Sequence, residues 1–166
     1  IFLFNIFQHA PELVKDFTWP DHLMKGFVKK YPMLFVGGQG SITHMHFDID
    51  MSHILHTQFV GKKKVLLFPH EEQYKLYRKP WEVLSLANYA NYSTEFDYET
   101  YPAVKNAKGY EVILEHGDTL FMPAGFFHHM EYFYIQQLLL QLLQHIFPNY
   151  FLFFQHHPYY QGIHIQ

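Results

Sequence analysis

The sequence contains no cysteine, so it can form neither a disulfide bond nor a thiolate metal site. Any metal ion would have to be bound by histidines and carboxylates, and the chain has 14 histidines. A lack of cysteine also fits a reducing compartment, and on that ground we expect a cytoplasmic protein.

Strong charge and long apolar runs are missing as well. The net charge of −3 and the isoelectric point near 6.5 give no reason to expect a nucleic-acid partner. The apolar runs near Ile1 and Leu138 are too short for a membrane span and are interrupted by asparagine or glutamine, so we expect no membrane association. The first residue is isoleucine rather than methionine, from which we expect a fragment of a longer protein.

The chain does contain enough apolar material for one domain: 166 residues, of which 49% are hydrophobic and 20% aromatic. Helical patterns occupy residues 11–30, with Pro11 and Pro20 at first-turn positions. From residue 33 the period of two predicts strands, with a short helix at 71–78. The predicted strands are 33–36, 41–48, 53–60, 64–68, 110–115, 119–122 and 129–134.

Three segments follow from this pattern. Residues 1–32 form a short helical segment, residues 33–134 form the core with an irregular insertion at 80–108, and residues 135–166 form a divergent tail of helical or irregular structure. Many short strands separated by glycine turns predict a mainly β jelly-roll core. The aromatic residues of the insertion either line a substrate groove or anchor the loop, and they are Tyr89, Tyr92, Phe96, Tyr98 and Tyr101.

A histidine and a carboxylate stand two residues apart in the predicted strand over 41–48. Residues i and i+2 of a strand face the same side, so His46 and Asp48 can converge. A further candidate ligand, His128, follows much later. Two histidines and one carboxylate are the set that binds non-haem Fe(II) with open positions, which predicts an oxygenase. Strict alternation also puts His44 on the face of His46, and His129 is a second rival of His128.

Three blocks of sequence, at 40–48, 58–69 and 117–128, closely resemble the JmjC or cupin-like Fe(II)/2-oxoglutarate oxygenases, in the style that includes the asparaginyl hydroxylases. The resemblance runs from about Met33 to Tyr132. It implies a double-stranded β-helix of cupin type, with His46, Asp48 and His128 as catalytic metal ligands. It also implies hydroxylation of a C–H bond in a protein side chain, a peptide or a small molecule, with release of succinate and carbon dioxide.

The resemblance further implies that Thr43 and Lys63 bind the distal carboxylate of 2-oxoglutarate. Alternation supports an inward Lys63, because it shares a face with Val65 and Leu67 whereas Lys62 and Lys64 share the other. The alternative is that all three lysines form a solvated charge run.

Two departures from the family pattern leave other functions open. Where the family often has an asparagine that contacts the co-substrate, this chain offers His53, His56 and Gln58, and the contact stays unassigned. The apolar residues of 138–154 predict an ordered tail that covers a sheet edge by packing back as a helix or by docking on a second copy in a homodimer. These departures favour two alternatives: an inactive cupin-like binding module, or a Zn or Mn cupin with non-oxidative chemistry.

Overall fold

The computed structural model describes residues 5–16, 18, 21–23 and 33–134. It divides into one unit made of residues 1–37 and 140–166 and a second unit made of residues 38–139. The predicted tail over 135–166 and most of the second helical pattern lie outside the described residues. The prediction that 138–154 is ordered and buried therefore stays a prediction.

The described part of the first unit contains short helical elements. Helix α1 spans Ile6–His9, and a 3₁₀ helix spans Pro11–Asp16, beginning at the proline that was predicted to start it. The predicted strand at 33–36 is wrong, because those residues have no regular structure. Their continuous apolar pattern suits a strand, but a short apolar run does not by itself specify one.

The described part of the second unit is built from six strands, which confirms the mainly β jelly-roll prediction. They are β1 (Ile42–His46), β2 (Ile54–Thr57), β3 (Lys62–Phe68), β4 (Tyr110–Leu114), β5 (Thr119–Met122) and β6 (Phe127–Tyr134). A major sheet has the order β1-β6-β3-β4, and a minor sheet pairs β2 with β5. All of these pairings are antiparallel.

A long connection between β3 and β4 carries only short helical elements. A 3₁₀ helix spans His70–Tyr74, helix α2 spans Tyr92–Glu95, and another 3₁₀ helix spans Pro102–Asn106. The helix predicted at 71–78 is shorter than expected because Tyr77 adopts a φ of 55°, a left-handed conformation that a right-handed helix cannot continue through.

The major sheet has an apolar cluster on each face. The inner core, on the face shared with β2 and β5, consists of Val65, Leu67, Leu114, Met122 and Met130, with partly buried residues around it that include Ile54, Leu120 and Tyr132. The opposite face carries the outer core of Met45, Phe47, Leu66, Phe68, Leu76, Ala87, Tyr89, Phe96, Val104 and Phe127. Because a strand alternates, β3 and β6 supply residues to both clusters.

The aromatic residues of the insertion belong to the outer core. Tyr89 is fully buried, and its hydroxyl donates a hydrogen bond to the carbonyl of Leu76 at 3.3 Å. Phe96 is also buried, and its ring lies 5.0 Å from that of Tyr89. These contacts favour the anchored-loop interpretation over a substrate groove. Among the described residues, no helix is long and apolar enough to span a membrane.

The three consecutive lysines of β3 have three different environments. Lys62 is exposed and pairs with Glu115, and Lys63 faces the inner core. Lys64 faces the outer side as predicted, but it is buried and pairs with the buried Glu131, Nζ to Oε2 at 3.2 Å. A solvated charge run is therefore wrong for Lys64. Alternation predicts which face a residue takes, but the insertion that covers that face decides its burial.

We predict that Lys64→Met lowers the free energy of unfolding by about 3–5 kcal/mol, because Glu131 would keep its burial and lose its cation. Urea unfolding followed by circular dichroism measures this change. The matched control Lys62→Met, at an exposed pair, should change stability by about 0.5 kcal/mol or less. The double variant Lys64→Met/Glu131→Met should recover much of the loss, and equal stabilities of the two single variants would contradict the prediction.

Candidate metal centre

A β-bulge in β1 sets the geometry of the site. Thr43 pairs with Met130 and His46 pairs with His128, so His44 and Met45 together lie opposite the single residue His129. Partners directly across a ladder point to the same face, and Met130 belongs to the inner core. Thr43 and His46 therefore both face inward, although their spacing of three would put them on opposite faces of a regular strand.

The structure brings His46, Asp48 and His128 together at this inner face. One ligand atom from each lies within 4.8 Å of the other two. His46 Nε2 is 3.6 Å from Asp48 Oδ1, and the two imidazole rings have centroids 4.2 Å apart. All three residues predicted as metal ligands are thus close enough for one ion to contact them after small side-chain rotations.

Both imidazoles are oriented by the backbone. His46 Nδ1 is 2.8 Å from the carbonyl oxygen of His44, and His128 Nδ1 is 3.2 Å from that of Phe126. A carbonyl can only accept, so in the neutral form of each ring Nδ1 carries the proton and Nε2 keeps its lone pair. This arrangement fixes the tautomer that a metal ion requires.

The charges also suit a metal ion. The adjacent imidazoles, first that of His46 and then that of His128, hold the pKa of Asp48 below its usual range, so this carboxyl group is ionised at neutral pH. Burial and the charge of His46 lower the pKa of His128 to about 4, which keeps that ring neutral. Burial opposes a charge on His46, but the Asp48 carboxylate and the His44 carbonyl outweigh it and raise the pKa of His46.

A tight turn delivers His128 to the site. The amide of Phe126 donates to the carbonyl of Pro123 at 3.2 Å, and Gly125 has a φ of 75°. A turn with a positive φ at its third residue favours glycine there. A β-carbon on Gly125 would also lie 2.8 Å from Met51 Cε, so the flexible end of that side chain would have to shift, and the positive φ remains the main reason for glycine.

The two rival histidines do not face the cluster. His44 is exposed at the bulge, so the prediction from strict alternation that it shares the face of His46 is wrong. His129 is fully buried on the outer face, where its Nε2 lies 3.3 Å from Glu131 Oε1. Regular alternation in β6 therefore separates His129 from His128 as expected.

Lys63 and Thr43, the residues predicted to bind the co-substrate, lie along the same inner face. Lys63 is paired across the sheet with Tyr132, its Nζ lies 4.4 Å from the centre of the Tyr132 ring, and Thr43 forms a side-chain hydrogen bond with Tyr132. Leu67, four residues from Lys63, is paired with His128, so the two ends of the face are about 13 Å apart along the strand. Long side chains and one small ligand could span that distance.

Lys63 is a buried cation without a carboxylate partner in the described part of the chain. It is 2% exposed, and burial lowers its pKa to about 8. Its nearest polar partner is the ring nitrogen Nε2 of His56, at 2.7 Å. The sequence did not single out His56 for a role, although its period-two position in β2 is a signal for an inward side chain.

A jelly roll that gathers two histidines and a carboxylate on its inner face defines a protein of the cupin class. The chain belongs to the cupin-like family, because the model of the cupin-like domain matches residues 3–157. This match confirms the JmjC/cupin-like resemblance and extends beyond Tyr132, where the resemblance of the motifs ends.

Curated relatives agree with the family assignment. The chain is 30% identical to the HSPB1-associated protein 1 homolog of Danio rerio over 78% of this chain and 29% of the relative. It is 32% identical to Jumonji C domain-containing protein 5 of Drosophila melanogaster over 76% of this chain and 32% of the relative. It is 36% identical to human tRNA wybutosine-synthesizing protein 5 over 65% of this chain and 35% of the relative. The chain therefore spans about a third of the length of these relatives, which support a family of oxygenase type.

We predict that His46→Ala, Asp48→Ala and His128→Ala each weaken Mn(II) binding by roughly 100-fold or more, since losing even an outer partner of a ligand costs about 10–100-fold. His44→Ala should change the affinity by less than about threefold, because its imidazole lies outside the cluster and its carbonyl is kept. Titration calorimetry measures the affinities, and circular dichroism verifies that each variant is folded. A loss at His44 as large as at the other three positions would contradict the assignment.

Proposed function

We propose that this chain is an Fe(II)- and 2-oxoglutarate-dependent dioxygenase that hydroxylates a C–H bond. The observation that carries the proposal is that one face of the major sheet holds a His–Asp–His cluster at one end and a buried, carboxylate-free lysine at the other. A metal cluster alone would suit many cupins. The added cation calls for an anionic ligand that reaches from the cluster to Lys63.

The donor set fits ferrous iron. Two imidazoles and one carboxylate, without a thiolate, form the facial set that non-haem Fe(II) oxygenases use, and His46, Asp48 and His128 would hold the ion. When bound, iron and 2-oxoglutarate would supply the oxidative chemistry, with succinate and carbon dioxide as co-products.

The residues of the chain bind and orient. Lys63 would pair with the distal carboxylate of 2-oxoglutarate, and Thr43 would support it from β1, on the other side of β6. Thr43 already contacts Tyr132, whose ring lies beside the Lys63 ammonium. The backbone carbonyls of His44 and Phe126 hold the two imidazoles with Nε2 toward the ion. The inner core surrounds this face with apolar side chains, which limits the entry of water.

The proposed function specifies the substrate by its chemical class. The names of the relatives point to different roles, among them tRNA wybutosine synthesis and, in Xenopus tropicalis, lysine-specific demethylation. A shared fold does not fix a substrate. We propose a protein side chain, a peptide or a small molecule as the hydroxylation target.

We predict that Lys63→Met abolishes 2-oxoglutarate binding measured by calorimetry with Mn(II) in place of Fe(II). Removing the cation that pairs with a buried carboxylate costs about 3–5 kcal/mol, which is hundreds-fold or more in affinity. Lys62→Met, at an exposed pair, is the matched control and should bind normally.

The same variant has a second expected effect. Without ligand, Lys63→Met should be as stable as the starting protein or more stable, because the buried cation has no carboxylate to leave unpaired. Formation of succinate from 2-oxoglutarate with Fe(II) and oxygen then tests catalysis. Normal 2-oxoglutarate binding by Lys63→Met, or binding without turnover in the unaltered chain, would contradict the proposed function.

We also predict that 2-oxoglutarate affinity falls as the pH rises above about 8. Burial lowers the pKa of Lys63 to about 8 in the ligand-free chain, and the bound carboxylate raises it by pairing with the charged form. Ligand therefore binds the protonated lysine, so affinity should drop up to about tenfold per pH unit above 8. A 2-oxo monocarboxylate such as 2-oxopentanoate lacks the distal group, and a similar fall in its affinity would assign the effect to another group.

A further inference from the structure

The buried ammonium of Lys63 is held by a neutral group. Its Nζ lies 2.7 Å from His56 Nε2, and within the described part of the chain it forms no ion pair with a carboxylate. Burial, followed by the positive charge of Lys63, lowers the pKa of His56 to about 3, so this ring is neutral. A neutral imidazole nitrogen can accept a hydrogen bond from the lysine ammonium. Unlike a carboxylate, it brings no negative charge that would compete with an anionic ligand for Lys63.

The contact with Lys63 itself fixes which nitrogen of His56 accepts. An ammonium group can only donate, so Nε2 of the neutral His56 ring presents its lone pair to Lys63 Nζ. The proton of the ring is then on Nδ1.

The sheet geometry places His56 beside the ligand path. His56 pairs with Leu120 and Ile54 pairs with Met122, and these three apolar partners belong to or pack against the inner core. The Nε2 atom of His56 lies 2.7 Å from Lys63 Nζ, so the His56 ring lies at the lysine end of the ligand path.

We propose that His56 is a positioning residue for the distal carboxylate of the co-substrate, acting through Lys63. This inference rests on the proposed function and deepens it. A lysine ammonium has three N–H groups: one is donated to His56, and the ring of Tyr132 restricts the side chain on another side. The remaining donor is left for a carboxylate, so its direction is set before the ligand arrives.

The proposal assigns a role to the stretch in which the family asparagine is missing. His56 improves the affinity for a dicarboxylate because it orders the lysine, and it has no effect on the part of the ligand that contacts the metal ion. It thus favours a 2-oxo acid with a second carboxylate over one without it.

The test compares His56→Leu with His56→Gln. Leucine removes the acceptor and keeps an apolar side chain of similar size, whereas the oxygen of glutamine can still accept from Lys63. We expect His56→Leu to weaken 2-oxoglutarate binding in the presence of Mn(II) about tenfold, the size of the net contribution of one hydrogen bond. His56→Gln should stay within about threefold of the unaltered chain. The control His44→Leu makes the same replacement at an exposed histidine and should bind normally.

Binding of 2-oxopentanoate separates positioning from structural damage. Its affinity should be the same in the unaltered chain and in His56→Leu, since it has no distal carboxylate for Lys63. An equal loss for both ligands would overturn the proposal, and so would unchanged or tighter 2-oxoglutarate binding in His56→Leu.

A ligand-free readout separates this inference from the proposed function. By NMR titration, the pKa of Lys63 should be lower in His56→Leu than in the unaltered chain, because the acceptor stabilises the charged ammonium. Recovery of that pKa in His56→Gln would support positioning. If the unaltered chain binds no 2-oxoglutarate but Lys63 still responds to His56, the proposed function fails and the coupling stands. If 2-oxoglutarate binds and Lys63 does not respond, only the inference fails.

Discussion

The arrangement of the site depends on one extra residue in β1. Because His44 and Met45 share a single partner, the strand changes phase between Thr43 and His46. Thr43 can then face the region of Tyr132 and Lys63 while His46 faces His128, and Met45 and Phe47 remain in the outer core. A regular strand would place either Thr43 or His46 on the wrong face. Because of the bulge, one short strand contributes side chains to both ends of the ligand path and also to the core on the opposite face of the sheet.

β6 links the site to the insertion. Its inward residues His128, Met130 and Tyr132 line the ligand path and the inner core, whereas Phe127, His129 and Glu131 face the insertion. Glu131 accepts a hydrogen bond from the amide of Asn91 at 3.1 Å and pairs with Lys64, so the insertion is fastened to the strand that carries a candidate metal ligand. The irregular connection is therefore a structural layer of the domain, and its aromatic residues stabilise the back of the site.

Local patterns in the sequence predicted the parts of this structure that local geometry determines. The strand at 119–122 has the predicted bounds, and the inward direction of Lys63 and the separation of His128 from His129 follow from alternation. The bulge was not predicted, because it arises from the pairing of β1 with a strand some 80 residues away, and it overturned the expectation that His44 shares the face of His46. The burial of Lys64 was missed for a related reason, since the insertion that covers it is distant in sequence. The candidate ligands were found because their spacing is also a motif. His56 has no motif, so the sequence offered it only as one of three residues for an unassigned contact, and its position beside Lys63 came from the structure.

The edge of the major sheet at β1 is covered where the site lies. The amide of Phe47 donates to the carbonyl of Val83 at 3.3 Å, and the amide of Ser85 donates to that of Met45 at 3.0 Å. These two hydrogen bonds join the insertion to the residues that flank His46. Exchange of the two amide protons with solvent then requires the insertion to detach, so their rates report the free energy of that local opening. When the insertion detaches, it also removes the lateral support of His46, and the fraction of molecules with an assembled metal centre is limited by the same equilibrium.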